Sequence, residues 1–411
     1  MRICRGTRCM GEIMRKFCLL TGATGMLGGY LLRDGLLSGD QMAVLVRDHR
    51  RAAAAQRVAD LLAPYESMLA DADNGDADAR RPVVLPCDLA RDDLALDSRS
   101  IDWIANHCHS IVHNAASLQF HGADRRGEPW QTNVDGTRRI LKLCRTTGIH
   151  RMHYVSTAYV CGLRSGRIME DELDVGQTLG NDYERSKLES EQMVRDTGVL
   201  ESLTIYRPAI IVGDSKTFET TGYHGFYAIL KLAHTLVSRV ELGATSGGEL
   251  ASILGLDRGE SKHLVPVDWV SSVITHIRAN PQFHGRTYHL TAGRPTLVSE
   301  IASVIQEAVE RYSQLASCND PMRLDGDWIT NAFREQMSVY QSYWRDDPEF
   351  DQQNTQWAAG HLPCPMVDRD LLMQMARWAI ASRFGREVQP VPQQPETHRE
   401  NLLMCNLEVQ G

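Results

Sequence analysis

Short apolar runs alternate with amphipathic stretches through the first half of the chain, the pattern of strand and crossover helix in a parallel sheet. The runs Phe17 to Leu20, Ala43 to Val46, Val83 to Leu85, Ser110 to His113, Met152 to Val155 and Leu203 to Tyr206 predict strands. Between them, Leu27 to Leu37, Ala52 to Ala70, Ile101 to Cys108, Trp130 to Thr146 and Tyr183 to Asp196 carry apolar residues at helical spacing. Strand-to-strand crossovers close right-handedly, so the succession predicts an α/β fold built on a doubly wound parallel sheet.

After Gly213 the alternation fades, and Thr220 to Arg258 mixes glycines, aromatics and apolar residues as an insertion beside a pocket would. From about residue 300 the chain is helical in character, and Val388 to Gln394 has the composition of a linker to a loose tail. The expected organisation is a tail over 1–15, a nucleotide-binding unit over 16–290 with an insertion at about 218–260, a smaller, mainly helical carboxyl-terminal substrate lobe over 291–387, and a tail over 388–411. Asp71 to Arg80 is polar and acid-rich, the make-up of a solvated surface loop. No internal repeat is present.

Composition narrows the class. The 411 residues are 43% hydrophobic and 23% charged, ordinary values for a globular chain. A net charge of −8 gives no general attraction to phosphate polymers, so nucleic acid is not an expected partner. Apolar runs such as Ala209 to Val212 are too short to span a bilayer. Residues 1–16 are arginine-rich but lack the apolar stretch and cleavage site of a secretory signal, and read as a tail or as an upstream start ahead of Met14. Ten cysteines are scattered without a CxxC pair, and Cys18, Cys144 and Cys161 fall in or beside apolar elements where a thiol packs. A reduced, cytoplasmic protein is expected. His107, Cys108 and His109 are adjacent and point apart, and no further cluster supplies convergent ligands, so no metal site is expected.

The first chemical signal is TGATGMLGG, Thr21 to Gly29, directly after the first strand. Gly22 suits the tight turn, Gly25 lets backbone approach a pyrophosphate, and Gly28 allows close packing of helix on strand. The turn and helix start, Thr24, Gly25, Met26 and Leu27, then aim free amide groups at the phosphates of a dinucleotide. The end of the second strand selects the dinucleotide, because a carboxylate there holds the ribose hydroxyls of NAD whereas a cation takes the extra phosphate of NADP. Here the strand runs into Arg47, with Asp48 turned to the other side if strand geometry persists, and Arg57 ten residues on is placed for a second contact. NADP(H) is therefore the expected cofactor. Asp88 and Leu89, after the third strand, fall where a polar group meets adenine, and Asn114, after the fourth, begins a small-residue stretch with Ala115 and Ala116 that lets backbone lie against the cofactor.

The second signal is YxxxK, Tyr183 and Lys187, one helical turn apart and on one face. An ammonium beside a phenol stabilises the phenolate and is expected to lower its pKa from about 10. The fifth strand ends in Ser156 and Thr157 at the carboxyl edge of the sheet, where open parallel sheets bind ligands. Either hydroxyl would serve a substrate carbonyl, and alternation allows only one to point inward.

With these features in order, the chain resembles the extended short-chain dehydrogenase/reductases over residues 16–290, and within them the thioester reductase branch: fatty acyl-CoA reductases and the terminal reductase domains of carboxylic acid reductases and nonribosomal peptide synthetases. The residues that carry the resemblance are VHNAASLQF (Val112 to Phe120), NVDGTRRIL (Asn133 to Leu141), HYVSTAYVCG (His153 to Gly162), TIYRPAIIVGDSKT (Thr204 to Thr217) and HLVPVDWV (His263 to Val270). The stretch Tyr340 to Asp368 is similar, more thinly, to the carboxyl-terminal lobe of acyl reductases. The resemblance implies a Rossmann domain, Thr157 rather than Ser156 as the catalytic hydroxyl, and Arg47 and Arg57 on the NADP phosphate. It implies hydride transfer to an acyl thioester carbonyl, with Thr157 and Tyr183 stabilising the oxyanion and Lys187 tuning Tyr183, to give an aldehyde and, after a second hydride, an alcohol. The thioester would come from coenzyme A or from a separate acyl or peptidyl carrier protein, and a stand-alone enzyme is expected. A keto or hydroxysteroid-type dehydrogenase, a nucleotide-sugar epimerase or dehydratase, and a dinucleotide-binding redox sensor are the competing readings on the same scaffold.

Overall fold

The computed structural model describes residues 16–71, 81–237, 259–312 and 345–385. The expected tails, most of the acidic loop after Asp71, the later part of the insertion and the linker after residue 387 lie outside the described residues.

Seven parallel strands form the central sheet: β1 (Phe17–Thr21), β2 (Gln41–Val46), β3 (Val83–Pro86), β4 (Cys108–His113), β5 (Arg151–Val155), β6 (Ser202–Pro208) and β7 (Thr287–Leu290). Their order across the sheet is β3-β2-β1-β4-β5-β6-β7. The chain thus winds outward from β1 in one direction, returns, and winds outward in the other, and the crevice opens at the carboxyl ends of β1 and β4 where the direction reverses. Side-chain alternation sends Cys18 and Leu20 to one face and Leu19 to the other, and Met42, Val44 and Val46 oppose Ala43 and Leu45 in the same way.

One face is covered by α1 (Met26–Leu37), α2 (Ala54–Leu62) and, from later in the chain, α8 (Val267–Ala279). The other is covered by α4 (Ser98–His107), α5 (Thr137–Thr147) and α6 (Asp182–Asp196), with Ile104, Ile140, Cys144 and Val194 packed on the strands. The single helix expected over Ala52 to Ala70 is instead interrupted. A 3₁₀ turn at Ala63–Tyr65 separates α2 from α3 (Glu66–Asp71), because Pro64 has no N–H to continue the ladder.

Strand β7 was not among the expected strands. Its sequence, TYHL, reads as polar, yet all four residues are buried. The polar atoms are satisfied internally: His289 donates its backbone N–H to Glu170 at 3.0 Å and pairs its ring with the Asp351 carbonyl at 2.8 Å. A buried polar residue with partners looks like a loop residue to any hydrophobicity pattern.

A further core joins α7 (Phe226–Val237), α9 (Val298–Tyr312) and α11 (Arg369–Ala381), with Leu230, Ile305, Leu372 and Met375 fully buried among them. Between α9 and α11 the chain returns to the sheet. Phe350 packs against the rings of His263 and His289, both at 5.3 Å, and α10 (Gln353–Ala359) places Ala358 and Ala359 in the core beneath α8. Among the described residues no helix is long and apolar enough to cross a membrane, and no group of three or more His, Cys, Asp or Glu is placed to hold a metal. The described cysteines are free thiols, five of them buried and Cys364 partly so.

Candidate active site

The glycine turn is built by steric need. Gly22 has φ +72°, and a Cβ on it would stand 2.8 Å from the backbone of Ala115. A Cβ on Gly28 would lie 1.9 Å from the Gly22 carbonyl oxygen and 2.9 Å from Asn114 Nδ2. Gly25 is different, since its Cβ would meet only the Gly22 carbonyl at an ordinary 3.4 Å. The packing of the chain itself leaves room for a Cβ at this position. Gly25 is the N-cap of α1 and brings no side-chain acceptor, and no acidic residue stands in the first turn. The positive end of the helix therefore faces the turn without a side-chain counter-charge.

Behind the turn runs a buried hydrogen-bond chain. Thr137 Oγ1 donates to the Asn133 carbonyl at 2.6 Å, so it accepts from His113 Nε2 at 3.0 Å. His113 Nδ1 is then the acceptor for Thr21 Oγ1 at 2.8 Å, and Thr21 Oγ1 in turn accepts the backbone N–H groups of Asn114 and Ala115, both at 3.1 Å. This polarity requires a neutral imidazole, and burial together with the Lys187 charge pushes His113 down to about 3. The chain clamps the ends of β1 and β4 together under the crevice.

At the end of β2, Arg47 is exposed, and Asp48 is turned away into the start of α2, where it accepts the N–H of Ala54 at 2.8 Å. Arg57 lies between the two loops: it donates to the Arg47 carbonyl at 2.5 Å and to Thr24 Oγ1 at 3.0 Å. Asp88 caps its own turn by accepting the N–H of Ala90 at 3.0 Å, and Leu89 is half-buried against Gly136. Asn114 is half-buried beside Gly22, with Nδ2 donating to the Gly22 carbonyl at 3.4 Å.

The helix that carries Tyr183 starts on a capping box. Asn181 accepts the N–H of Glu184 at 2.9 Å, and the Glu184 carboxylate receives the Asn181 amide at 3.0 Å and the Gly180 N–H at 2.7 Å. This fixes the first turn, and therefore Tyr183. Ser186 donates to the Tyr183 carbonyl at 2.8 Å and accepts from Asn133 Nδ2 at 2.8 Å, tying the same turn to the segment before α5. Deeper in the helix, Glu191 forms a fully buried pair with Arg207 of β6, at 2.6 and 3.1 Å. Burial pushes the Glu191 carboxyl up, but Arg207 and Arg195 outweigh it and hold the group below its usual range. Removing one member of such a pair leaves a buried charge and costs about 3–5 kcal/mol.

Lys187 is fully buried, and its ammonium donates to the Val155 carbonyl at 2.8 Å and to Tyr154 Oη at 3.0 Å. Thr157, at the end of β5, donates to the Pro208 carbonyl at 3.5 Å and accepts the N–H of Tyr159 at 3.3 Å. Thr157 lies beside Tyr183, and Ser156 beside Glu191, as alternation requires. The expected lowering of the Tyr183 pKa is corrected here. Burial dominates and holds the phenol above its ordinary value, while Lys187 and the Thr157 hydroxyl pull it only partly back. Lys187 is itself lowered by burial. Phe120 meets the Tyr183 ring edge to face at 6.2 Å, and Leu118, two residues earlier in the chain, is exposed.

The structure brings Gly22, Gly25, Gly28, Asn114, Thr157, Tyr183 and Lys187 to the carboxyl edge of the sheet, with Arg47 and Arg57 at the end of β2. Four participants were not singled out in the sequence: His113, Asn133, Tyr154 and the Asn181–Glu184 box. Only the last had a readable signal, an Asn followed three residues on by Glu at a helix start. The others act through contacts between distant segments.

Over 294 residues the chain is 30% identical to the nonribosomal peptide synthetase asaC of Aspergillus flavus, a match to 67% of this chain and 26% of that protein. Over 413 residues it is 26% identical to the aldehyde reductase lnaA of the same organism, covering 90% of this chain and 37% of that one. The chain thus spans well under half the length of these relatives. The crystal structure of the terminal R domain from the myxalamid PKS-NRPS biosynthetic pathway superposes with a TM-score of 0.67 at 25% identity, covering 91% of this chain and 92% of that one. A family model matches residues 20–274, from the first strand through the glycine turn and the YxxxK helix into α8, and on that match the chain belongs to the male sterility protein family of NAD-binding domains.

Proposed function

We propose that this chain is an NADPH-dependent reductase of an acyl thioester, with Thr157, Tyr183 and Lys187 as its centre. The observation that carries the reading is the convergence of a half-buried tyrosine, a buried lysine and a strand-end threonine on the sheet edge beside the glycine turn. The relatives named as a peptide synthetase, an aldehyde reductase and a terminal reductase domain support an oxidoreductase of this kind.

The residues present fit a dinucleotide. The close approaches at Gly22 and Gly28, the sterically unexplained glycine at 25 and the uncapped start of α1 suit a pyrophosphate against Thr24, Gly25, Met26 and Leu27. Asp88 and Leu89 would face the adenine and Asn114 the ribose side. Arg47, exposed while Asp48 is occupied elsewhere, would take the phosphate that distinguishes NADPH, and Arg57 would fix that loop and add a second cation. A bound nicotinamide supplies the hydride.

In the reaction, thioester, NADPH and a proton give aldehyde, thiol and NADP⁺. Thr157 and Tyr183 would donate hydrogen bonds to the carbonyl oxygen as it gains negative charge. Tyr183, kept protonated by burial, is suited to give up its proton as general acid, and the Lys187 ammonium stabilises the phenolate left behind. The carbon–sulfur bond then breaks as the carbonyl re-forms, the hydroxyl proton returning to the Tyr183 phenolate and the leaving thiolate taking up the proton that the overall reaction consumes. The aldehyde has the same polarity and is a fit second substrate, yielding an alcohol. Phe120 offers apolar surface beside Tyr183 for an acyl chain. We assign nucleotide binding to residues 16–290 and the substrate side to the lobe beyond. The buried free thiols suit a reducing cytoplasmic setting. The donor is an acyl-coenzyme A or an acyl or peptidyl carrier protein. The test is the full chain with NADPH and a panel of both thioester types, with products identified by mass: aldehyde or alcohol is expected, and recovery of unchanged thioester across the panel would contradict the reading.

A further inference from the structure

We propose that Tyr154 positions the Lys187 ammonium through a closed ring of hydrogen bonds, an inference that rests on the role given to Lys187 above. The ring runs from Lys187 Nζ to Tyr154 Oη at 3.0 Å, from Tyr154 Oη to Ser190 Oγ at 2.7 Å, and from Ser190 Oγ back to the Lys187 carbonyl at 3.1 Å. Its direction is fixed by chemistry. An ammonium can only donate, and Ser190 gives its proton to a carbonyl that can only accept. The Tyr154 proton has the hydroxyls of Ser190 and Thr137 as its acceptors, which leaves the phenol oxygen as an acceptor turned toward the cation. Burial keeps Tyr154 in its phenol form, so this polarity persists at neutral pH.

The consequence is orientation. Two of the three ammonium protons are taken by β5, one by Tyr154 and one by the Val155 carbonyl at 2.8 Å. The third has no acceptor among the described residues and is left for the crevice. The Tyr154 ring adds a face for the cation, 4.5 Å from its centroid. Lys187 has too little contact with water to replace a missing acceptor, being 2% exposed. The titratable and charged groups around it are Tyr154 on β5, His113 on β4, and Tyr183 and Glu191 on its own helix. Glu191 is already paired with Arg207 of β6, and His113 is held neutral, so Tyr154 is the neighbour whose polar atom meets the ammonium directly.

The test is Tyr154→Phe in the full chain, which keeps the ring and removes one acceptor. A hydrogen bond to the charged form favours that form, so its loss should let the ammonium lose its proton at lower pH. The alkaline limb of the pH profile of NADPH-dependent turnover should move acidward by about one unit, a tenfold change in the proton equilibrium. The alkaline limb of NADPH affinity, followed by fluorescence titration, should move with it. Ser190→Ala, which frees the Tyr154 hydroxyl without deleting it, should shift both limbs in the same direction by less, and it carries the test if Tyr154→Phe fails to fold. A lowered melting temperature with both limbs unmoved would mean that Tyr154 is only packing, and would overturn the inference. If the parent chain binds NADPH but reduces no thioester, the proposed function fails, while the binding limb still decides the role of Tyr154.

Discussion

Gly28 lies so close to the carbonyl oxygen of Gly22 that a Cβ would stand 1.9 Å from it, whereas a Cβ on Gly25 in the same turn would meet nothing nearer than 3.4 Å. The two glycines should therefore fail differently when replaced. Gly28→Ala forces backbone apart inside a packed crossing and should cost about 1–3 kcal/mol or more in stability. Gly25→Ala should leave the melting temperature nearly unchanged yet weaken NADPH binding at least tenfold, because only a bound pyrophosphate needs the space that a Cβ would fill. Thermal melts and cofactor titrations on both variants check this, and equal behaviour of the two would contradict it.

Arg47 and Arg57 separate along the same lines. Arg47 is exposed, so Arg47→Ala should be neutral for stability while removing most of the preference for NADPH over NADH. A charge-assisted contact of about 1.5–3 kcal/mol corresponds to a ratio of roughly ten- to hundredfold. Arg57 ties Thr24 to the Arg47 carbonyl, so Arg57→Ala should weaken both cofactors and lower the melting temperature as well. Steady-state constants with each cofactor measure the ratio. An unaltered preference in Arg47→Ala would place the phosphate elsewhere.

Acid should destabilise the fold well above the carboxylate range. Burial lowers His113 to about 3, His289 to about 4 and His153 below its ordinary value, so each stays neutral in the folded chain. In the unfolded chain each takes up a proton below about 6.5. The unfolded state thus binds more protons between pH 6.5 and about 4, and stability, complete above 6.5, falls as pH drops through that window. Each histidine contributes a slope of ~1.4 kcal/mol per pH unit at most. Denaturant titrations at successive pH values should show this slope, shallower by about one proton in His289→Gln. A flat stability between pH 6.5 and 4 would contradict the neutral assignments.

Much of this architecture is legible in the sequence because parallel strands buried on both faces are continuous apolar runs, and all six expected strands are present in the sheet. Phe17 to Leu20 followed by glycines at 22, 25 and 28 could hardly fold otherwise than as strand, turn and helix. Strand β7 escaped because its histidine is buried with partners supplied from Glu170 and Asp351, and its threonine accepts from Arg195, all far away in the chain. Tyr154 escaped for a related reason. As one residue of a buried strand it looks like packing, and only the 3.0 Å approach of Lys187 from another element gives its hydroxyl a task. The direction of the Tyr183 shift was misjudged because spacing shows the lysine one turn away but not the burial that outweighs it.

The most direct measurement of the central claim follows nicotinamide absorbance and free thiol in one reaction of the full chain with NADPH and an acyl thioester. Epimerases and dehydratases on this scaffold return the hydride to the same substrate molecule, whereas a thioester reductase consumes one NADPH for each thiol released on the way to aldehyde. Loss of absorbance and appearance of thiol should advance together, with up to one further NADPH consumed per thiol if the aldehyde goes on to alcohol. Tyr183→Phe, which removes the proton and keeps the ring, should slow both by about a hundred- to ten-thousandfold while NADPH still binds. Thiol release without loss of NADPH, or undiminished turnover in Tyr183→Phe, would contradict the account.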